Sequence, residues 1–260
     1  MRIGFLQTSP VFGDKQANFQ SAKELAQGLK ADLLVLPELF ATGYAFTSAN
    51  EAAGLAEPAD GPTSAFLREL SATTGAVIVA GFAEKEGGEV YNSAVVVYDG
   101  RVVDTYRKLH LFNREKLWFS PGNKPLQVHE IKGMRIGVMI CFDWIFPEVM
   151  RTLTINGAQI IAHPSNLVMP YCQNAMVTRC LENRVFAVTA NRTGRETRGE
   201  DDFPFTGKSQ ITGITGDILA TGHGELPYAA TVEIDVRLSD NKSINPFNNL
   251  LSDRRKEYYS

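Results

Sequence analysis

The sequence predicts an α/β fold: two mixed sheets packed face to face with helices over their outer faces, a sandwich of four layers. Three observations predict it. Unbroken apolar runs such as DLLVLP and AVIVAGF have the length of strands but lack the alternation of a half-exposed sheet, so they fit strands covered on both faces. Segments with apolar residues at helical spacing lie between them. The succession of strands and helices then recurs in the second half without sequence identity between the halves, which points to two sheets.

The elements follow in order. Residues 2 to 7, RIGFLQ, form a first strand, and residues 16 to 30 a helix, because Ala22, Leu25, Ala26 and Leu29 repeat at helical spacing. DLLVLP is the next strand, with Glu38 standing directly beyond it. Gly61 and Pro62 open a second helix, since proline is tolerated at the first helical position, and residues 76 to 82 form the third strand. YNSAVVVY and RVVDTY flank Asp99-Gly100, a pair that favours a tight type I′ turn, so an antiparallel hairpin is expected. After a loop from Leu109 to Pro125 comes a strand pair around Lys132-Gly133, with Cys141 ending its second member. A helix from Pro147 to Asn156 follows, closed by Gly157. QIIAHP is a strand, NAMVTRCLEN a helix and VFAVTANR a strand, and SQITGI pairs with DILATG around Thr215-Gly216-Asp217. Residues 240 to 260 lack strong periodicity and read as an extended tail that other surface must hold, intersubunit packing being one way.

With 260 residues, 44% hydrophobic and 21% charged, residues 1 to 260 suit a single globular domain with a large core. A net charge of -3 supplies no basic field for a polyanion, so nucleic acid is a poor partner. MRIGFLQTSP turns polar at Gln7 and lacks a signal peptide's apolar region, and no apolar run approaches the roughly 20 residues of a membrane helix. Three cysteines without framework spacing fit a reducing compartment. A soluble, cytoplasmic protein is the expectation.

Cysteine reacts as thiolate, so a catalytic one needs a nearby base or positive charge and access to substrate. Cys141 ends a predicted strand just before a helix, where clefts open in α/β folds, yet a buried packing cysteine explains that position equally well. Glu38 and Lys108 also follow predicted strands; singly, each reads as a loop acid and a surface lysine. Together an acid, an ammonium and a thiol suffice for amide cleavage, as base, oxyanion partner and nucleophile.

Three stretches sharpen this reading: LLVLPELFATGY around Glu38, YRKLHLFNREKLWFSPGN around Lys108 and GVMICFDWIFPEVMR around Cys141. In order and spacing they resemble the signature regions of the nitrilase superfamily of carbon-nitrogen hydrolases, and the resemblance covers essentially the whole chain. It implies the αββα fold, Glu38 as general base, Lys108 as stabiliser of the tetrahedral intermediate and Cys141 as nucleophile. It also implies that Glu115 positions Lys108 and the substrate amide. Dimers or larger homo-oligomers built through the helices after the nucleophile are implied as well. Phe142-Asp143, where true nitrilases usually carry Trp-Glu, is similar to the amidase-like branches.

The reaction expected is hydrolysis of a small amide through a cysteine thioester, releasing ammonia and an acid, with the Phe142 amide N–H as second oxyanion donor. ω-Amides, N-carbamoyl compounds and small nitriles stay open as substrates. Two carboxylates near one thiol should disfavour the thiolate, with the lysine as counterweight. Tyr44, Phe112, Trp118, Phe142, Trp144 and Asn166 are candidate pocket residues, although most read more readily as core or loop packing. No metal or cofactor is expected, and Cys172 and Cys180, eight apart on a helix, are assigned to packing. His163 is the base of a rival Cys/His arrangement and is read as structural instead.

Overall fold

Leu33, Leu34 and Val35 are each fully buried, which is the property that made DLLVLP read as a strand covered on both faces. The computed structural model describes residues 1–259. The first half runs β1 (Arg2–Gln7), α1 (Lys15–Ala26), β2 (Leu33–Val35), α2 (Ala49–Leu55), α3 (Pro62–Thr74), β3 (Val77–Glu86), β4 (Glu89–Tyr98) and β5 (Arg101–Arg107). A one-turn α4 (Glu115–Trp118) leads to β6 (Val128–Ile131), β7 (Met134–Val138), α5 (Pro147–Ile155), β8 (Ile160–Pro164), α6 (Cys172–Asn183) and β9 (Phe186–Ala190). The rest comprises β10 (Arg195–Arg198), β11 (Asp201–Pro204), β12 (Gln210–Thr212), β13 (Ile218–Thr221), β14 (Tyr228–Glu233), β15 (Ser243–Asn245) and β16 (Asn248–Asn249).

Among the described residues two six-stranded sheets form, in the orders β14-β1-β2-β3-β4-β5 and β13-β12-β9-β8-β7-β6. Each has three parallel strands at its centre, β1-β2-β3 and β7-β8-β9, flanked by antiparallel ones. The doubling legible in the sequence is therefore one topology used twice.

The period of two in a strand divides the core. Ile3, Phe5, Leu33, Val35, Val77 and Val79 share one cluster with Ile136, Val138, Ile160, Ala162 and Val188 of the second sheet. Their alternates Leu6, Leu34, Ile78, Val95 and Val97 pack instead with Phe19 and Ala22 of α1 and Leu67 and Leu70 of α3. Helices α5 and α6 cover the other sheet through Val149, Met150, Leu153, Met176 and Cys180. The four predicted layers follow from that alternation.

Two of the three predicted strand-pair turns have the positive φ at both central residues that type I′ demands: 50° and 70° at Asp99-Gly100 and 53° and 72° at Lys132-Gly133. Other expectations need correction. Helix α1 ends at Ala26 rather than residue 30, because Gln27 leaves helical geometry and Gly28 turns left-handed at φ 75°. Cys141 lies beyond its strand, in a 3-10 turn over Cys141–Ile145. The tail is not extended: β15 and β16 fold back on each other, and the Lys242 ammonium caps the end of α6 by donating to the Asn183 and Arg184 carbonyls at 3.1 and 2.8 Å. Helix α2, the β10–β11 hairpin and β14 had no prediction. β14 is mostly half-exposed, and it becomes an edge strand by pairing with β1 from Arg2↔Glu233 to Gln7↔Tyr228.

Candidate active site

Three strand ends converge. Glu38 lies three residues beyond β2, in a turn that β3 grips on both sides: Gly81 N donates to Pro37 O at 3.1 Å and Phe40 N to Gly81 O at 3.2 Å. Position 81 has to be glycine, since a Cβ there would sit 2.4 Å from the Glu38 Cα. Lys108 follows β5 directly; its N–H donates to Asn92 O at 2.8 Å, and its carbonyl accepts from Gly122 N at 2.8 Å. Cys141, three residues past β7, takes φ 40°, a left-handed conformation that costs a non-glycine residue about 1–2 kcal/mol.

Buried groups hold that strained turn. The Asp143 carboxylate accepts from Ile140 N at 2.9 Å, from the Tyr106 hydroxyl at 2.7 Å and from His110 N at 3.1 Å. His163 approaches the Cys141 backbone carbonyl through Nε2 at 3.0 Å and the Thr189 hydroxyl through Nδ1 at 3.1 Å. A carbonyl only accepts, so Nε2 carries the proton and Nδ1 accepts from Thr189. Burial pushes the imidazole down to about 4, the Cys141 carbonyl opposing it. His163 is thus a neutral clamp on the backbone of the cysteine, with neither nitrogen left to take the thiol proton.

The charges sit side by side. Lys108 Nζ donates to Glu38 Oε1 at 2.6 Å and to Glu115 Oε1 at 2.8 Å, with all three residues buried. Asn92 donates to Glu38 Oε1 at 2.7 Å and, weakly, to Glu115 Oε2 at 3.5 Å. The Tyr44 hydroxyl completes the group with a 2.6 Å bond to Glu115 Oε1. An ammonium has three donors, so Lys108 retains one for a ligand. Glu38 Oε2 is buried and has no hydrogen-bond partner among the described residues.

Burial would lower the Lys108 pKa, but the Glu115 and Glu38 charges outweigh it and hold the group above its ordinary value. Burial raises the Glu115 pKa against the pull of Lys108. The Cys141 thiol is pushed well up by burial and then by Glu38; Lys108 and the Asn166 backbone N–H oppose it. The thiol rests protonated until a base takes its proton.

The family model for carbon-nitrogen hydrolases matches residues 2–240. The chain belongs to this carbon-nitrogen hydrolase family. It is 44% identical over 263 residues to a protein named nitrilase from Pyrococcus abyssi, covering 100% of this chain and 99% of that relative. It is 34% identical over 208 residues to an (R)-stereoselective amidase from a Pseudomonas species, covering 78% and 74%. Among solved structures it is similar to a glutamate-to-glutamine mutant of an amidase from Nesterenkonia sp. AN1, at TM-score 0.81 and 27% identity, covering 99% and 97%. That structure shows the Michael addition of acrylamide at its active-site cysteine.

In this carbon-nitrogen hydrolase the residues singled out from sequence fall into two connected groups. Glu38, Lys108, Glu115 and Tyr44 are joined by hydrogen bonds, and Cys141, Phe112, Phe142, Trp144 and Asn166 line one small cleft with Leu167, Val168 and Met169. Trp118 lies apart, in a depression with Tyr44 and Glu115. A larger trough between α1 and α3 holds none of these residues and bears no relation to the chemistry. Cys172 and Cys180 are buried in the core, and no cluster of metal-ligating side chains occurs among the described residues.

Asn92, Asp143, His110 and Tyr106 were missed. Asn92 and Asp143 carried a faint signal, as polar residues inside apolar stretches that a core must satisfy. Glu196 was missed as well: paired with buried Arg192, it accepts from Tyr44 N and Ala45 N at 2.9 and 2.7 Å and so fixes the segment carrying Tyr44.

Proposed function

We propose that the protein hydrolyses the C–N bond of a small amide through a Cys141 thioester, releasing ammonia and a carboxylic acid. The observation that carries this reading is Glu38: Lys108 and Asn92 hold one of its carboxylate oxygens, while the other is buried without a partner in a site where its charge acts on the Cys141 thiol. Glu38 takes the thiol proton and the sulfur adds to the amide carbon. The oxyanion is met by the third Lys108 N–H and the Phe142 backbone N–H. Collapse expels ammonia, which leaves with the proton carried by Glu38. Glu38 then takes a proton from water, hydroxide adds to the thioester, and the thiolate departs and is reprotonated. Glu115 positions Lys108, and Tyr44 positions Glu115.

The name of the Pyrococcus abyssi relative supports a second reading, a nitrile as substrate, in which the same thiolate adds to a nitrile carbon. Phe142-Asp143 after the nucleophile supports the amide. An ammonia-release assay decides between them: amides are turned over faster than matching nitriles, and Cys141→Ala and Glu38→Gln each fall by about 1,000-fold or more. Full activity in Cys141→Ala would refute the thioester mechanism, and faster turnover of nitriles would transfer the assignment to nitrilase. We further assign the cytoplasm as its location, from three free cysteines, and a homodimer through α5 and α6, where Ile155 and Leu181 are exposed. Residues 240 to 260 are assigned to that subunit interface.

A further inference from the structure

Building on the amidase reading, we propose that the site selects a small primary amide whose remaining group is uncharged and apolar, and that the Asn166 side chain pairs with the reacting carboxamide. The cleft beside Cys141 is narrow, with a cavity volume of about 20 Å³. Its walls are Phe112, Phe142, Trp144, Leu167, Val168 and Met169. Besides Cys141, no ionisable side chain lines it among the described residues. The charged groups of the site are committed to one another: Lys108 bonds both Glu38 and Glu115. A substrate bearing a second carboxylate or an ammonium would therefore bury that charge against carbon without a counterion, which is costly. An aliphatic group loses nothing there and gains contact.

Asn166 is the one side-chain amide among the described residues lining the cleft. It is 2% exposed, and neither Nδ2 nor Oδ1 has a hydrogen-bond partner among the described residues. Buried amides are rarely left so, because each unmade bond costs the desolvation of the group. The backbone beside Asn166 is fixed, since the next N–H, that of Leu167, donates to Asn191 Oδ1 at 2.8 Å. A free donor beside a free acceptor complements a carboxamide, which carries an N–H donor and a carbonyl acceptor. A nitrile offers no donor to Oδ1, and neither does the carboxylate product. Asn166 thus favours the amide over both, and loses its partner when ammonia leaves.

The test compares kcat/KM for butyramide, succinamate and 4-aminobutyramide, which differ in terminal charge at similar size. Butyramide is expected to exceed each charged amide by about 100-fold or more. Asn166→Leu should lower the butyramide value by about 10- to 100-fold. The same variant should slow alkylation of Cys141 by acrylamide, followed by intact mass, while leaving alkylation by acrylonitrile within about twofold, a split that loss of packing alone would not give. Parity between butyramide and a charged amide overturns the apolar specificity. Equal slowing with both reagents, or with neither, overturns the role of Asn166. If no amide releases ammonia while butyronitrile does, the amidase reading fails; preference for butyronitrile over 3-cyanopropionate would then still support the apolar cleft, and parity would overturn it.

Discussion

At the scale of single residues, the site is a problem of buried charge. Burial first raises the thiol, and because one ammonium lies between two carboxylates, a thiolate would also add a further negative charge to a group already anionic when both acids are ionised. Such a cluster persists because every charge has a partner; removing Lys108 would leave two acids buried against each other. His163 shows the opposite strategy, a base kept neutral by burial. The unfolded chain takes up that proton near 6.5 and the folded protein only near 4, so between those values the unfolded state binds more protons. The stabilisation is whole above 6.5 and is lost as pH falls towards 4. Between pH 7 and pH 5 the wild type should lose about 2 kcal/mol more than His163→Gln does, read from urea unfolding at both values. Parallel losses in the two proteins would show that His163 titrates normally.

At the scale of elements, the chemistry depends on how closely turns approach strands. The turn bearing Glu38 lies against the middle of β3, and Gly81 is the point of contact. Gly81→Ala places its Cβ 2.4 Å from one backbone atom and 2.6 Å from the next, and neither can move without shifting Glu38. A loss of at least about 100-fold in kcat/KM is expected, with a lowered melting temperature. Gly54, in α2, is the control: a Cβ there meets no described atom within 4 Å, and Gly54→Ala should leave activity unchanged and raise stability by about 0.5–1 kcal/mol. Wild-type kinetics in Gly81→Ala would mean that the turn is far more compliant than its backbone contacts imply.

Over the whole molecule, two sheets of the same topology face each other, and the groups of the candidate active site hang from strand ends of both. Glu38 and Lys108 come from the first sheet and Cys141 from the second, so their spacing is set by how the sheets pack rather than by any local segment. Apolar side chains stay exposed on the outer helices, Ile155 on α5 and Leu181 on α6, and Phe247 in the tail is 91% exposed. These fit the proposed homodimer. Ile155→Glu with Leu181→Glu should shift the protein to monomer by light scattering while each chain stays folded by circular dichroism. A wild type that is already monomeric at micromolar concentration would remove that assembly from consideration.

Most of the strand and helix succession was legible in the sequence, because burial on both faces and helical spacing are local properties that leave a mark on composition. The proposed nucleophile Cys141, base Glu38 and Lys108 were legible as candidates as well, because each stands inside a long distinctive motif. Boundaries slipped where backbone conformation decides, as at Gly28 and at the left-handed Cys141. β14 escaped notice because it becomes a strand only by pairing with β1, more than 200 residues away. The structural roles of Asn92 and Asp143 left only a faint mark for the same reason: on its own an Asn or Asp in an apolar stretch is only a polar residue needing a partner, and folding alone supplies Glu38 to the one and Tyr106 to the other. Which carboxylate oxygen and which side-chain amide lack a partner among the described residues, and that His163 is spoken for, emerge from the packed fold alone, since hydrogen bonds between distant segments exist only once the two sheets have packed.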